Sequence, residues 1–417
     1  MSAPRFIQIS TLTSYPAALL NRDDSGLAKR IRFGGAVRTR VSSQCLKRHW
    51  RMAEDRFALS EVDPSLTMSI RSRETFNREV LPLVIAKGVE ESLAVAVLQG
   101  LGKKLYEGKE KDADSAKKAD AKKEDKHPLA RKEVVVLGRS EVEYLAEQAV
   151  EIARELGGSI PAAPKDRGKA IAEYLKKRYE ETSLGKGMMK NLRAVCGAGL
   201  DAAMFGRFVS GDPEARVDSA VHVAHALTVH AEAAETDYFT AVDDLLTASE
   251  GGSGHLGAAE LTSGLYYVYV VVDVPQLVSN LTGKDASDWL AADRSLAART
   301  VKHLIHLMAT VSPGAKLGAT APYDHAALVL AEAGERQPRT LANAFMNPIP
   351  LNGDVFAATV RALSGYLEGM DGMYGREEAR WLACRLPVDG LGGFTGVERR
   401  TLPQLADAVE AAILQGA

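Results

Sequence analysis

Asn21 to Arg51, NRDDSGLAKRIRFGGAVRTRVSSQCLKRHWR, holds the residue types best suited to chemistry, and that chemistry is phosphate binding. Gripping a phosphate chain takes cations, together with small hydroxyl or amide donors set where a backbone can come close. Arg22, Lys29, Arg38, Arg40, Lys47, Arg48 and Arg51 are the cations, and Ser42, Ser43 and Gln44 are donors at a helix start. Gly34-Gly35 would admit a polymer without a Cβ in its way. Lys47 and Arg51, four apart, share one helical face. A basic solvated helix with an ordinary Ser cap is the plainer alternative, and the segment alone leaves both readings open.

Other groupings carry less. Asp243-Asp244 suggests a metal-dependent nuclease, but neighbours on a strand point to opposite faces and make a poor two-metal clamp. His222, His225 and His230, and separately His303 and His306, are spaced to bring imidazoles together on helices. Without a cysteine cluster they read as core or surface histidines. Tyr267 and Tyr269 alternate onto one face of a Val-rich strand, where packing in a core is expected over stacking on RNA. Cys45, Cys196 and Cys384 are far apart and form no CxxC pair, so neither a disulfide framework nor a cysteine zinc site is expected. No P-loop, dinucleotide fingerprint or Ser nucleophile elbow occurs, and no cofactor is expected.

These groups need elements to position them. Arg5 to Thr13 (RFIQISTLT) alternates apolar and polar and reads as a first strand, ending near a Tyr15-Pro16 break. Ser42 stands before SQCLKRHWRMAEDR as the cap of a helix of about four turns. Leu59 to Leu200 reads as a helical insertion. Within it Ser140 caps a helix whose stripe is Val142, Leu145, Ala149, Ile152, Ala153 and Leu156, ended by Gly157-Gly158. Gly108 to Lys126 has almost no apolar residue and reads as a mobile charged spacer. Tyr238 to Val242 (YFTAV), a tip with Gly251, Gly252 and Gly254, and the return HLGAAELTSG predict a long hairpin. It leads into Leu265 to Val274, LYYVYVVVDV, a central strand covered on both faces. Helices around Asp288 to Thr310, a strand at His325 to Ala331 and further helices complete an α+β chain.

At 417 residues, 46% apolar and 25% charged, the chain can bury a sizeable core in two or three domains. Its net charge of −2 argues against a protein that coats nucleic acid with its whole surface. The distribution differs. Arg5 to Arg56 carries eleven Lys and Arg against four Asp and Glu, an excess of seven that leaves −9 elsewhere. There is no apolar run long enough for a membrane span, and MSAPRFIQIS lacks a signal-peptide layout. A soluble, intracellular protein in a reducing cytoplasm is the expectation.

Several of these residues carry a family resemblance. LNRDD, the FGG turn and the pattern R-x-R-V-S-S-Q-x-L-K-R-x-W-R closely resemble the N-terminal signature of the CasC backbone subunit of type I-E CRISPR Cascade complexes, in the RAMP superfamily. GRF at Gly206 to Phe208, VDSAVHVAHALTVH, DYFTAVDDL, SGHLGAAELTSGLYY, PGAK at Pro313 to Lys316 and LANAFMNPI look like the same family in the same order. The resemblance implies an RNA-recognition-like (ferredoxin-like) palm in residues 1–57 and 201–417, a helical finger domain at 58–200 carrying the charged loop 108–126, and a β-hairpin thumb at 232–263. It implies partners too: CRISPR RNA, further copies stacked head to tail, other Cascade subunits and target DNA paired to the guide. By motif, Arg22, Lys29, Ser42, Gln44, Lys47, Arg48 and Arg51 would hold guide phosphates. Phe208, Tyr238, Phe239, Thr240 and Leu256 would pack where the thumb kinks the guide. A subunit serving any guide must read phosphate, sugar and shape, while apolar wedges accept every base through its face. Base pairing then reads the sequence.

The expected role is therefore non-catalytic. One rival is a metal-dependent endoribonuclease of the same superfamily using Asp243 or Asp244, and another is a DNA-binding regulator with Ser42 to Arg51 as its recognition helix. If about four phosphates are neutralised per subunit, log affinity against log salt should slope near −3, at roughly −0.7 per phosphate for single strands. Replacing Lys47 and Arg51 by Ala should flatten that slope, and an unchanged slope would remove both from the grip.

Overall fold

The computed structural model describes residues 3–106, 127–157, 161, 163–179, 183–187, 199–242, 253–387 and 392–415. Asp243, Asp244, Cys196 and the charged spacer lie outside them. The chain divides into two compact units. One comprises Met1–Val62, Val221–Val274 and Ala297–Ala417, and the other Asp63–Ala220 with Pro275–Leu296.

In chain order the first unit opens with β1 (Phe6–Ala18), β2 (Arg30–Phe33), β3 (Ala36–Val41) and α1 (Ser43–Arg51). The second unit contributes β4 (Ile70–Ser72), α2 (Leu81–Ala86), α3 (Glu91–Tyr106), β5 (Val135–Leu137), α4 (Arg139–Leu156), α5 (Pro164–Arg178) and α6 (Leu200–Phe205). Then follow β6 (Val221–Val223), β7 (Ala226–Thr228), β8 (Ala234–Val242), β9 (Ser253–Asp273) and α7 (Val274–Thr282). The chain ends with α8 (Ser295–Thr310), β10 (Leu328–Gly334), α9 (Val355–Tyr374), β11 (Ala379–Cys384), β12 (Glu398–Arg399) and α10 (Leu402–Leu414). This is a mixed α+β chain.

Its ten-stranded sheet runs β12-β11-β10-β1-β9-β7-β3-β2, with β6 and β8 also paired to β9. β1 and β9 form its centre, antiparallel from Phe6↔Asp273 to Tyr15↔Gly264. Both are buried on both faces there, which explains why the Val-rich run lacks alternation. On one face Leu12, Tyr267, Tyr269 and Val271 meet Phe345, Phe356, Val360 and Leu363. On the other, Tyr266 and Val268 meet Leu46, Trp50 and Met308 around a small cavity. Burying each such side chain is worth about 1.5–3 kcal/mol. Tyr267 is a core residue: its hydroxyl accepts from Leu341 N at 3.1 Å and pairs with Ser10 Oγ at 3.0 Å.

Several expectations are corrected. β1 does not stop at Tyr15-Pro16 but passes through an irregularity, with Ala17 at φ 44, and resumes pairing at Ala18↔Thr262. Proline has no N–H to donate, so it sits where the ladder is broken. α1 is nine residues, shorter than expected, with Met52 closing it on the carbonyls of Arg48 and His49. The cap of α4 is Gly138, not Ser140, because the Glu141 carboxylate turns back to accept from Gly138 N at 2.9 Å. Its predicted stripe is nonetheless inward, with Val142, Leu145, Ala149 and Ile152 in the core of the second unit. That unit is helical but also holds the two-stranded ribbon β4-β5. The strand expected from His325 begins at Leu328, and the C-terminal helices are separated by β11 and β12. The histidines at 222, 225 and 230 lie on and between short strands, not on helices.

The FGG turn also has a different purpose. Gly34 and Gly35, both at positive φ (59 and 78), make the two-residue turn between β2 and β3, the geometry of a primed hairpin. A Cβ on Gly34 would fall 1.6 Å from the Met346 carbonyl oxygen, whereas one on Gly35 meets nothing. The close approach at Gly34 is by the protein's own chain, not by a polymer. Gly35→Ala should therefore cost only its backbone term of about 1–2 kcal/mol. Gly34→Ala should cost about 2 kcal/mol more through overpacking. Equal denaturation midpoints for the two variants would refute this account.

Candidate nucleic-acid interface

α1 is built from one buried stripe, Leu46 and Trp50, and outward positions that include Gln44 and Arg48. Ser42 caps it, its Oγ accepting from Cys45 N at 3.3 Å, and is itself 7% exposed. Ser42 N donates to Asn21 Oδ1 at 2.9 Å, which fastens the loop before the strands to the helix start. That loop is folded by Asp23, whose Oδ1 accepts from Ser25 N and Leu27 N at 2.9 Å each, and by the pairing of Arg22 with Ala28. The Ser42 oxygen thus accepts as a cap, and its hydroxyl keeps a proton to donate. The first turn of α1 carries no acid, so its positive end faces the loop uncompensated by a carboxylate of its own.

The structure brings a distant motif to the same place. Ala315 N donates to Leu19 O at 3.0 Å, and Gly314 N donates to His49 Nε2 at 3.3 Å. His49 Nδ1 in turn donates to Cys45 O at 2.8 Å. The PGAK loop, with Lys316 exposed and at φ 54, therefore closes one side of a cleft of about 490 Å³ lined by Asn21, Arg22, Asp23, Cys45 and Gly314. Lys316 was not among the expected site residues. Its motif was visible in the sequence, but the place of Gly314 and Ala315 in the cleft lined by Arg22 was not.

The basic residues divide into two kinds. Arg22 and Arg48 are exposed, and Lys29, Arg40, Lys47 and Arg51 are half-buried. Burial pushes the Cys45 thiol up, against the opposing pull of Lys29 and Arg48, so both cations act at the start of α1. Burial, then Arg40 and Lys29, hold His225 below its ordinary value, and Arg40 lies 3.1 Å from its Nδ1. Arg38 is the exception and corrects the list of phosphate cations. It is fully buried and donates to Phe33 O, Thr228 O and Phe345 O at 3.2, 3.1 and 2.8 Å.

β8 and β9 form the predicted hairpin, paired from Ala234↔Thr262 to Val242↔Ser253. Beyond Thr262 towards the tip, β9 pairs with β8 alone, so the arm projects from the sheet. Tyr238 is 73% exposed and Phe239 45%. Being adjacent, they occupy opposite faces: Tyr238 shares its face with Thr240, and Phe239 lies over Gly257, where a Cβ would be 2.4 Å from the ring. Register sets Leu256 opposite Thr240. Phe208, 76% exposed, belongs to the second unit. Tyr238 and Phe239 thus lie on the two faces of the hairpin.

One residue outside the expected set joins the basic segment to the hairpin. Arg30 donates through Nε to Glu232 at 2.5 Å and through its other arm to Glu260, whose second oxygen accepts from Ala28 N at 2.5 Å. Burial works against this guanidinium, but the two carboxylates outweigh it and raise its pKa. Glu232 N also donates to Val37 O at 2.8 Å. Removing Arg30 would leave two carboxylates facing each other at the hairpin base. Arg30→Met should cost about 2 kcal/mol, between an exposed and a buried pair. Amide exchange should quicken at least tenfold across the hairpin base, and unchanged protection there would dismiss the tie.

Among the described residues no helix is long and apolar enough to cross a membrane, and no group of three His, Cys, Asp or Glu could hold a metal ion. His230 is structural, donating from Nδ1 to Ala231 O at 2.7 Å and accepting at Nε2 from Leu265 N at 3.1 Å. His306 stacks on Phe57 at 3.6 Å, and burial pushes its pKa down to about 4.

Among solved structures, the chain is similar to a chain of a CRISPR RNA-guided surveillance complex, pre-nicking. The two are 26% identical, with a TM-score of 0.70 over 98% of this chain and 100% of that one. It also shares its fold with a chain of another CRISPR RNA-guided surveillance complex, at 23% identity and a TM-score of 0.63, covering 98% and 99%. Comparison with curated proteins gives no match. The family described as CT1975-like protein matches residues 7–409, nearly the full length, and the chain belongs to that family.

Proposed function

We propose that this protein is a non-catalytic CRISPR RNA-binding backbone subunit of a type I-E surveillance complex, one that oligomerises head to tail along the guide. On this reading the sheet-bearing unit is a palm of RNA-recognition-like, ferredoxin-like type. The helical unit is a finger domain, and the β8–β9 arm is the thumb that folds over the guide and divides it into segments. Other complex subunits and target DNA paired to the guide are its further partners, in a prokaryotic cytoplasm. The reading draws on family membership and on the likeness to a surveillance-complex chain at 26% identity. The observation that carries it is the Arg30 tie, which sets a segment rich in unburied cations beside a projecting arm that carries exposed aromatics along its length. Cations at the base of the arm and sequence-blind wedges along it suit a polymer held by its backbone and bent at intervals.

Coexpression with a CRISPR array and purification should yield RNA-loaded multimers, with nuclease protection at a regular interval along the guide. A nucleic-acid-free monomer would overturn the reading. Cleavage of complementary RNA with divalent metal, lost in an Asp243→Asn, Asp244→Asn protein, would favour the endoribonuclease instead.

A further inference from the structure

α9 carries a different surface at each end, both within the sheet-bearing unit. Its first turn, Val355 and Phe356, lines a cavity of about 1150 Å³ whose apolar wall continues through Val329 and Leu351, the last 53% exposed. Arg385, Arg399 and Arg400 border the same cavity, with Asp324 as the carboxylate among its lining residues. Each arginine is held in place. Arg385 lies 4.8 Å from the Phe356 ring centroid, Arg399 donates to Cys384 O at 3.2 Å, and Arg400 donates to Gln404 O at 3.3 Å and pairs with Glu398 at 2.8 Å. The cavity thus presents a fixed basic rim around an apolar wall, which suits an apolar group flanked by carboxylates.

Such a group stands at the other end of the helix. Met373 is 74% exposed and Tyr374 58%, two large side chains in water on a backbone that is pinned. Gly375, at φ 75, closes the helix with its N–H on Asp371 O at 2.9 Å, and Arg336 donates to Tyr374 O at 2.9 Å while pairing with Glu377. Glu368 and Glu377 are exposed nearby in the chain, and Arg376, also exposed, is turned back onto Thr395 O and Gly396 O at 3.2 and 3.1 Å. Gly365, Gly369 and Gly372 run along the helix towards Met373, spaced to share one face, and a Cβ on any of them meets nothing within the protein. Glycine weakens a helix, so three on an exposed face have no packing reason in the lone chain, but they let a second backbone come close.

We infer that the Met373–Tyr374 end of one copy inserts into the arginine-rimmed cavity of the next, with Glu368 and Glu377 set against Arg385, Arg399 and Arg400. The two surfaces are unlike, and they lie about 27 Å apart along α9, at 1.5 Å per residue from Phe356 to Tyr374. A contact between unlike surfaces leaves one of each uncovered on every pair, so copies go on adding and form an open array unless a ring closes. The inference rests on the reading that copies line up along a guide, and it names the faces that meet.

Cys384 lines the cavity and is half-buried, so a thiol introduced at the helix end by Met373→Cys should meet it across the junction. RNA-loaded complexes of the full-length protein are oxidised with copper–phenanthroline and run on a non-reducing gel. A ladder of dimers and higher multimers is expected from Met373→Cys and should disappear when Cys384→Ser is added. In parallel, a Met373→Asp, Tyr374→Ser protein should lose multimers about tenfold by native mass spectrometry, with RNA bound per subunit changed less than about threefold, since a few buried aromatic and apolar anchors carry most of a contact. These substitutions at Met373 and Tyr374 alter exposed side chains, so folding is spared. Crosslinked bands that persist with Cys384→Ser would place the helix end elsewhere, and multimers of unchanged length in the Met373→Asp, Tyr374→Ser protein would dismiss the junction. Either result overturns the inference and leaves the guide reading standing. An unaltered protein that forms no multimers on RNA would overturn both.

Discussion

The pairing of β9 with β1 governs most of the rest. β9 is 21 residues long, and one strand serves both as the centre of the sheet and as the return arm of the hairpin. Its C-terminal part is buried between β1 on one side and β6 and β7 on the other, while its N-terminal part is held by β8 alone. A one-residue slip would turn Tyr267, Tyr269 and Val271 away from Phe345 and Val360 and into the opposite face, which is shaped for Tyr266 and Val268 against Leu46 and Trp50. The core therefore fixes the register, and the register fixes which face of the hairpin carries Tyr238 and which carries Phe239. Thr262 and Ser263 lock the junction, the first donating to Ala18 O at 2.8 Å and the second accepting from Ala17 N at 2.9 Å.

Arginine has two uses in this protein. Arg38, Arg207 and Arg380 are buried and spend their planar donors on carbonyls or carboxylates. Arg380 sits among Glu332, Asp371 and Glu378, an arrangement in which the cost of burying charge is offset by complete pairing. Each of the three orients a neighbour: Arg38 seats the β2–β3 hairpin, Arg207 turns Phe208 outward, and Arg380 joins β10 to α9 and β11. Arg22 and Arg48 are left at the surface, where charge is inexpensive and available to a ligand.

Much of the fold and some of the site was legible. The first strand, the paired strands of the hairpin and the stripe of α4 each have a local period that dictates them, while Gly251 and Gly252 of its expected tip lie outside the described residues. The boundaries that were misjudged have local competitors invisible to periodicity. Glu141 displaced Ser140 as the source of the α4 cap because a carboxylate three residues into the helix reaches back to Gly138. α1 stopped early because Met52 closes on two carbonyls, although the amphipathic pattern ran further. The glycines of the FGG turn were read as a place where a polymer comes close, yet at Gly34 what approaches is the Met346 carbonyl, and Gly35 is open.

By itself the sequence determined the α+β class, the hairpin, the helix start at Ser42 and the presence of a basic segment with the donors of a phosphate grip. These depend on residue type and on neighbours a few positions away. Which cations of that segment remain for a ligand was decided only by tertiary structure. Arg30 is claimed by Glu232 and Glu260, 202 and 230 residues on, and Arg38 by carbonyls 190 and 307 residues on. A count of local charge cannot anticipate partners that only the closing of the sheet brings within hydrogen-bond reach.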